Sequence, residues 1–535
     1  MPEVAHFSAL APSFSFAELC HMASVTLPKH FDLLGEIDSV RKGVGSGLDP
    51  ARRSELGQYF TPASIAGFMA RMPESSRECI RLLDPGAGVG ILTAAWVAEM
   101  CRQPNRPAEV VLTAYELDEG LLPALRRTMK ACQKACAEVE VDCRIEVRHE
   151  DFIEAGVEAL DGGLWADSNS QFDLAILNPP YKKFRTDSAP RLLLRRLGME
   201  TSNLYTAFLS VVIRLLADGG EFVAITPRSF CNGPYFRPFR AELLQSVSLK
   251  QIHVFESRGN AFREDQVLQE NIILHARKGV PQQNSVVVSQ SHDPDDTEIV
   301  VQKVPFERVV RPLDGESFIH VVPDADGHEI AAAMGSLPST LADLGLTVST
   351  GRVVDFRARE YLRADPGADT VPLLYASHFV NGHVQWPRLG AKKPNAIVRC
   401  DGTASLLVPS GVYVLVKRFS SKEERRRVVA AIFDPADVPC DEVGFENHLN
   451  YFHANGAPLP AYLAAGLAAF LNSSQLDTYF RQFNGHTQVN ATDLRSLRYP
   501  SKESLSALGK RLSGRLATQS KIDSSVELLL EKATS

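Results

Sequence analysis

The stretch IRLLDPGAGVGILTAAWVAEM, residues 80–100, combines three patterns in a fixed order. A short apolar run at 80–83 is typical of a buried strand, and a glycine-rich turn at 84–90 follows it directly. The apolar segment 91–100 then has the length of a helix. Because glycines let the backbone approach a ligand and a helix start attracts negative charge, this order predicts the first unit of a cofactor-binding sheet. The turn lacks the Gly-Lys-Ser/Thr ending of a phosphate loop.

Strands and helices continue to alternate after this stretch. Further strand-like runs lie at 109–115, 143–148, 172–177, 221–226, 249–255 and 267–276. Helical segments lie at 121–137 and 205–216. This alternation predicts an α/β fold with a doubly wound sheet. Ligands in such sheets bind at the carboxyl ends of the strands, so the residues that follow each strand are the first candidates for a site.

The length of 535 residues implies more than one domain, because single cores stop growing near ~250–300 residues. We expect a helical lead-in over residues 1–50 and the doubly wound domain over 51–285. Turn-rich sequence at 293–296 and 323–327 predicts a linker over 286–340. Shorter β-like runs and a helical segment at 461–471 predict a C-terminal α+β domain over 341–535.

The composition, 44% hydrophobic and 23% charged residues, is that of a folded globular protein. There is no run of ~18 apolar residues and no secretory signal pattern at the start, so we expect a cytoplasmic protein that does not bind membranes. The nine cysteines are scattered along the chain, which is typical of reduced thiols. We also expect a monomer. The net charge of -7 does not exclude a polyanionic partner, because net charge governs long-range steering rather than a local groove.

Acidic residues follow the second and third predicted strands. Glu116 comes directly after the run at 109–115, where a carboxylate can hold both hydroxyls of a ribose. Asp151 and Phe152 follow the run at 143–148, where an acid can accept from an adenine amino group and an aromatic ring can cover the base. The alternative for each is a common solvated loop residue. Together with the glycine-rich turn they predict a nucleoside-containing cofactor.

The sequence Asn178-Pro179-Pro180-Tyr181 follows the run at 172–177. Two consecutive prolines cannot continue a strand, so this is a rigid, extended turn. The Asn178 side-chain oxygen and the Pro179 carbonyl can accept hydrogen bonds from a planar amine, and the Tyr181 ring can stack on it. The exocyclic amine of adenine is such a group, and a purely structural Pro-Pro turn is the alternative.

These motifs, together with Gly57-Gln58-Tyr59-Phe60-Thr61-Pro62 upstream, resemble the amino-group DNA adenine methyltransferases of bacterial restriction–modification systems. In particular, the chain is similar to the gamma class, of the TaqI and PstI/BsuBI type. The resemblance implies a Rossmann-like methyltransferase domain, S-adenosylmethionine as the cofactor and a C-terminal target-recognition domain that binds double-stranded DNA.

The resemblance also implies a role for each matched residue. Residues expected to bind the cofactor are Thr61, Asp84, Gly86, Gly88, Glu116, Asp151, Phe152 and Asn178. Residues expected to hold the target base are Asn178, Pro179, Pro180 and Tyr181. A second aromatic residue should stack on the base from the other side, and we prefer Phe262 to Tyr235 or Phe236 because of its spacing.

Two segments are predicted to contact DNA. Lys182, Lys183 and Arg185 follow Tyr181 and can hold phosphates near the target base. The polar segment 484–495 is rich in amide side chains, which suit base edges. Its candidate contacts are Asn484, His486, Gln488 and Asn490. The alternative is a polar loop before a capped helix.

The sequence therefore predicts an enzyme that methylates N6 of a flipped adenine at a specific DNA site and so protects that site from a partner restriction endonuclease, without a stable complex between them. A protein-glutamine methyltransferase, an RNA adenine-N6 methyltransferase and an inactive DNA-binding specificity protein remain as alternatives. Cytosine-C5 chemistry is disfavoured because the loop at 178–181 has no cysteine, and a metal site is disfavoured because no Cys-x-x-Cys pair occurs. No nuclease motif was recognised.

Overall fold

The computed structural model describes residues 32–47, 59–162, 171–184, 188–255, 270–293, 296, 298–312, 314–321, 325–390, 392–420, 424–484, 488–512 and 517–534. The chain divides into two compact units, Met1–Pro323 and Asp324–Ser535. Each unit has its own sheets and helices. None of the helices within the described ranges is long and apolar enough to cross a membrane.

The first unit is built on a nine-stranded sheet with the order β3-β2-β1-β4-β5-β7-β6-β8-β9. The strands are β1 Cys79–Pro85, β2 Glu109–Tyr115, β3 Asp142–Arg148, β4 Phe172–Leu177, β5 Leu216–Pro227, β6 Val247–Phe255, β7 Asn271–Lys278, β8 Ser285–Ser291 and β9 Val300–Pro305. Strands β1 to β5 pair in parallel, and β7 is antiparallel to both of its neighbours. The carboxyl ends of β1 to β5 therefore meet at one edge of the sheet.

Helices cover both faces of this sheet. They are α1 Leu33–Gly47, α2 Ala63–Ala70, α3 Ile91–Arg102, α4 Leu122–Glu138, α5 Phe152–Leu160, α6 Ala189–Arg196, α7 Leu204–Leu215, α8 Arg237–Ser246 and α9 Phe306–Val309. Leu82 of β1 packs into one core with α1 to α4, whereas Leu83 packs into the opposite core with α5, α7 and α8. Successive strand residues point to opposite faces, which explains why the adjacent residues Leu82 and Leu83 of β1 are both apolar. The prediction of a doubly wound α/β sheet is confirmed.

The predicted linker over 286–340 is wrong. Strand β8 pairs in parallel with β6, and β9 pairs antiparallel with β8, so both extend the sheet of the first unit. Val286, Val288 and Val304 are buried in its core, which gives these strands a hydrophobic reason to join. The structural division falls between Pro323 and Asp324 instead.

The second unit contains two sheets, with the orders β10-β20-β17-β18-β14-β13 and β11-β15-β12-β19-β16. Its strands are β10 Thr347–Thr350, β11 Leu362–Arg363, β12 Thr370–Leu374, β13 Phe379–Val380, β14 His383–Val384, β15 Ala396–Val398, β16 Leu407–Pro409, β17 Tyr413–Lys417, β18 Ala430–Phe433, β19 Glu442–Phe445 and β20 Leu449–His453. Its helices are α10 Ala325–Gly335, α11 Ala461–Leu471, α12 Ser474–Phe483, α13 Ala491–Ser496, α14 Lys502–Arg511 and α15 Gln519–Thr534. The α+β character predicted for the C-terminal part is confirmed.

Candidate active site

The glycine-rich turn after β1 forms a backbone cradle. Gly86, Gly88 and Gly90 have φ angles of 74°, 60° and 83°, a region that side-chain-bearing residues rarely adopt. A Cβ atom on Gly88 would lie 3.1 Å from the Phe60 ring, so the turn has no room for a side chain there. Gly86 is exposed and Gly88 is partly exposed, so the backbone of this turn can approach a ligand closely.

Asp84 lies buried at the end of β1, behind this turn. Its Oδ2 atom accepts a hydrogen bond of 2.7 Å from the Thr93 hydroxyl. Its Oδ1 atom is buried and has no hydrogen-bond partner within the described part of the chain. Burial raises the pKa of Asp84 to about 7. A cationic group of a ligand placed near this carboxyl would stabilise its ionised form.

Glu116 follows β2 and ties two neighbouring turns together. Its Oε2 atom accepts from the Gly88 amide and its Oε1 atom accepts from the Asp118 amide, each at 2.7 Å. The side chain is buried, and burial raises the pKa of this carboxyl. Each carboxylate oxygen keeps a further lone pair, so both can still accept from the two hydroxyls of a ribose.

Asp151 and Phe152 follow β3 at the same edge. Asp151 caps α5, because its Oδ1 atom accepts from the amides of Ile153 at 2.8 Å and Glu154 at 3.1 Å. This fixes the carboxyl at the helix start and leaves Oδ2 to face a ligand amine. Phe152 is buried, and its ring centre lies 5.0 Å from that of Phe208. The two rings form an aromatic wall beside the acid.

Asn178 follows β4 and is held in one orientation. Its Nδ2 atom donates to the Tyr59 carbonyl at 2.8 Å and to the Thr61 hydroxyl at 3.1 Å. Both N–H groups of the amide are therefore in use, and Oδ1 is left as an acceptor. Thr61 is itself buried, so the segment before α2 positions the amide of the Asn-Pro-Pro-Tyr turn.

Tyr181 is anchored beside this turn by its hydroxyl, which donates to the Ile225 carbonyl at 3.3 Å. Its ring centre lies 6.1 Å from Tyr59 and 6.3 Å from Tyr205. Tyr205 is buried and shares a hydrogen bond of 2.9 Å with the Ser229 hydroxyl. The sequence analysis assigned no role to Tyr205. Its position in the first turn of an apolar helix, beside a strand end, could have indicated that it belongs to the site.

A cavity of about 240 Å³ connects these groups. Predicted site residues that line it are Gly86, Gly88, Glu116, Asp151, Phe152, Asn178, Pro180 and Lys182. Lining residues that sequence reasoning missed are Tyr59, Phe60, Tyr115, Leu117, Leu121, Glu150, Leu204 and Phe208. Asp84, Pro179 and Tyr181 at the strand ends, and Thr61 before α2, are not among its lining residues. The lining is largely aromatic and aliphatic with a few fixed acceptors, as expected for a nucleoside.

Three predicted contacts lie outside the described residues: Phe262, Arg185 and His486. The alternatives to Phe262 are described. Phe236 is buried with its ring centre 5.8 Å from Tyr205, whereas Tyr235 is 79% exposed. Lys183 is exposed and forms a β-bridge with Asn203, so its side chain stays available for a phosphate.

The prediction that Asn484 contacts DNA is wrong, because its side chain is buried inside the second unit. Its Oδ1 atom accepts from the guanidinium of Arg427, and its Nδ2 atom donates to Asp493 at 3.0 Å and to the Gln488 carbonyl at 3.2 Å. Its amide is used internally. Asn490 caps α13 together with Asp493, as expected if this polar segment is a loop that precedes a capped helix. Gln488 and Asn490 are only half-buried, and for them a DNA contact stays a prediction.

The doubly wound sheet, the glycine cradle and the acid at the end of β2 define an S-adenosylmethionine-dependent methyltransferase. Residues 124–262 match the family described as Eco57I restriction-modification methylase. The type II methyltransferase M.PstI of Providencia stuartii is 44% identical over 95% of this chain and 99% of its own length. M.BsuBI of Bacillus subtilis is 45% identical over 93% of this chain and 98% of its own length. The chain belongs to the type II methyltransferases of restriction–modification systems.

The fold agrees with this membership. The structure of the type IIL restriction-modification enzyme MmeI in complex with DNA superimposes with a TM-score of 0.52 at 11% sequence identity. That match covers 94% of this chain and 72% of the other. The architecture of both parts of the chain therefore recurs in a distant enzyme.

Proposed function

We propose that this methyltransferase transfers a methyl group from S-adenosylmethionine to N6 of adenine at a specific site in double-stranded DNA, and so protects that site from a cognate restriction endonuclease. The observation that carries the proposal is the fixed amide of Asn178. Because Tyr59 and Thr61 accept from both of its N–H groups, the amide cannot turn over and its oxygen is held in one position as an acceptor. The Asn178 side-chain oxygen and the Pro179 carbonyl oxygen together offer two acceptors, which suit an amine with two N–H donors.

The residues around the cavity fit the methyl donor, which supplies a methyl group on a sulfonium when it is bound. Glu116 holds the ribose hydroxyls, and Asp151 accepts from the adenine amine. Phe152 covers the adenine ring. The partnerless Oδ1 atom of Asp84 suits the cationic end of the molecule, and Thr61 lies near its carboxylate end.

The target adenine must leave the duplex to reach this edge, because its amine is otherwise stacked and paired. The Asn178 oxygen and the Pro179 carbonyl accept its two N–H groups, which raises the electron density on N6 for attack on the methyl group. Tyr181 stacks on one face of the base, and Phe262 on the other. N6 would bond to the methyl carbon as the carbon–sulfur bond breaks, which leaves the demethylated cofactor, and N6 would then lose a proton to solvent water. Lys182 and Lys183 hold nearby phosphates.

The base and the substrate class can be tested together. The purified chain is incubated with S-adenosylmethionine and, in parallel, with bacterial DNA, RNA or protein, and the products are hydrolysed and analysed by mass spectrometry. We expect N6-methyladenine in the DNA alone. Methylated cytosine, methylated RNA adenine or methylglutamine in place of it would contradict the proposal.

The role of Asn178 is tested by Asn178→Ala. Loss of a fixed acceptor at a developing charge typically lowers a rate by about a hundredfold or more. We expect that loss in DNA methylation, with a much smaller weakening of S-adenosylmethionine binding measured by calorimetry, because Asn178 is one of several residues around the cofactor cavity. Asn105→Ala, at an exposed amide between α3 and β2, is the matched control and should keep full activity. An active Asn178→Ala enzyme would contradict the assigned role.

A further inference from the structure

One edge of the second unit collects the ends of several strands. Thr350 at the end of β10 pairs with Asn450 near the start of β20, and Lys417 at the end of β17 pairs with Leu449. In the other sheet, β12 and β19 run in parallel and end together at Leu374 and Phe445. The connections 351–359, 418–420 and 446–448 therefore emerge at the same edge.

Backbone hydrogen bonds join these connections into one surface. The Val353 amide donates to the Phe445 carbonyl at 3.0 Å, and the Val353 carbonyl accepts from the Asn447 amide at 2.8 Å. The Arg418 amide donates to the His448 carbonyl at 2.9 Å. The three connections thus have a fixed relation to one another, as a recognition surface requires.

Two large aromatic side chains are exposed on this surface, each beside a basic side chain. Phe356 is 77% exposed, and the Arg357 guanidinium lies 5.5 Å from its ring centre. Phe419 is 41% exposed, and its ring centre lies 4.8 Å from that of His448. Exposed phenylalanine rings in contact with an arginine and a histidine side chain suit a partner that offers planar groups together with negative charge.

The charges on this surface favour an anion. The connection 351–359 contains three arginines and one acid, Asp355. That acid is held internally, because its two oxygens accept from the Tyr375 hydroxyl and the Lys393 ammonium, each at 2.8 Å. Glu446 is buried, and its Oε1 atom lies 2.5 Å from Nδ1 of His448.

Arg418 keeps its charge on the same surface. Its guanidinium donates to the Asn447 carbonyl at 3.2 Å and to the Gln488 side-chain oxygen at 3.4 Å, and both of these partners are neutral. The arginine is oriented by these bonds without being neutralised by them. It therefore adds a fixed positive charge beside Phe419 and His448.

We propose that these five residues, Phe356, Arg357, Arg418, Phe419 and His448, form the surface through which the second unit reads double-stranded DNA. This inference rests on the proposed function and deepens it, because it names the contacts that choose the site. The arginines hold phosphates or guanine edges, and the phenylalanines contact base edges or a base step. This aromatic–basic surface takes the place of the buried Asn484 as the specificity element.

The double variant Phe356→Ala/Arg357→Ala tests the surface in the full-length chain. The control is Tyr462→Ala/Lys510→Ala, which removes another exposed aromatic ring with a cation 5.6 Å from its centre, on α11 and α14. Binding to a fluorescent random-sequence duplex is measured by anisotropy over a salt series. We expect about tenfold weaker binding for the first variant, and a slope of log affinity against log salt smaller by about one because one phosphate contact is lost. The control should match wild type.

Further measurements separate this proposal from the proposed function. Folding of the second unit is checked by thermal unfolding, which should be unchanged in both variants because the replaced side chains are exposed. S-adenosylmethionine binding should also be unchanged, because the residues proposed to bind it lie in the first unit. If wild type methylates DNA and the test variant binds and methylates the same sites equally well, the surface proposal is overturned and the proposed function stands. If wild type binds DNA without methylating it, the proposed function fails, and the variant comparison still decides the surface.

Discussion

Replacing Glu116 by Gln should separate its hydrogen bonds to the neighbouring turns from its proposed role in binding the cofactor ribose. The carboxylate accepts from the Gly88 and Asp118 amides at 2.7 Å each, and glutamine offers only one acceptor oxygen. A hydrogen bond to a charged group contributes about 1.5–3 kcal/mol. Loss of one such bond to the ribose should weaken S-adenosylmethionine binding roughly 10- to 150-fold. One buried amide also loses its acceptor, so the unliganded protein should lose about 1–3 kcal/mol of stability.

Calorimetric titration with S-adenosylmethionine and urea unfolding of the unliganded protein measure these two effects. Glu119→Gln is the control, because Glu119 is an exposed acid in the next turn of the same connection. Burial raises the pKa of Glu116, so wild-type affinity should fall as the pH is lowered towards that pKa, and Glu116→Gln should lack this dependence. Equal affinity in wild type and Glu116→Gln, or an equal loss in Glu119→Gln, would refute the reasoning.

Three further substitutions test other parts of the chain. Burial raises the pKa of Asp84 from 3.8 to about 7, so ionisation of this carboxyl opposes folding, and the wild type should lose stability as the pH rises between these values. Urea unfolding between pH 5 and 8 should show that Asp84→Asn lacks about 1–3 kcal/mol of this pH-dependent loss. Asn484→Ala should destabilise the second unit by about 2–4 kcal/mol, because the buried Arg427 guanidinium loses an acceptor, and a weaker DNA affinity at unchanged stability would contradict this. Gly466→Ala should separate α11 from α14, since its Cβ would lie 1.8 Å from the Leu505 carbonyl oxygen; a thermal scan should show a clear loss of stability, whereas Gly315→Ala, with open space around it, should show none.

The elements that form the site were predictable from local sequence. Strands β2 and β4 and helix α11 have the bounds that their apolar runs predict, because each run is bounded by charged, Asn or Pro residues that end it. The glycine turn after β1 and the rigid Pro-Pro turn after β4 also follow from residue type alone. Since parallel strands end at one edge, these two turns had to converge.

Non-local pairing was not predictable. Strand β8 joins the sheet by pairing with β6, and β9 by pairing with β8, whereas the acidic turn between them has the composition of a linker. Asn484 was misjudged for a related reason. Composition shows how many hydrogen bonds an amide can make, but the burial of its side chain depends on Arg427, which lies 57 positions earlier in the sequence.

The division between Pro323 and Asp324 also bears on how such a protein can evolve. The residues around the cofactor belong to strand ends of the first unit, where a change in one side chain disturbs several neighbours. Phe356 and Arg357 are themselves exposed, so they can be exchanged with little effect on the core. Substitutions in that short segment would then change the preferred DNA site while the methyl-transfer reaction stays the same. Selection from libraries limited to 352–359 should yield such variants in the laboratory.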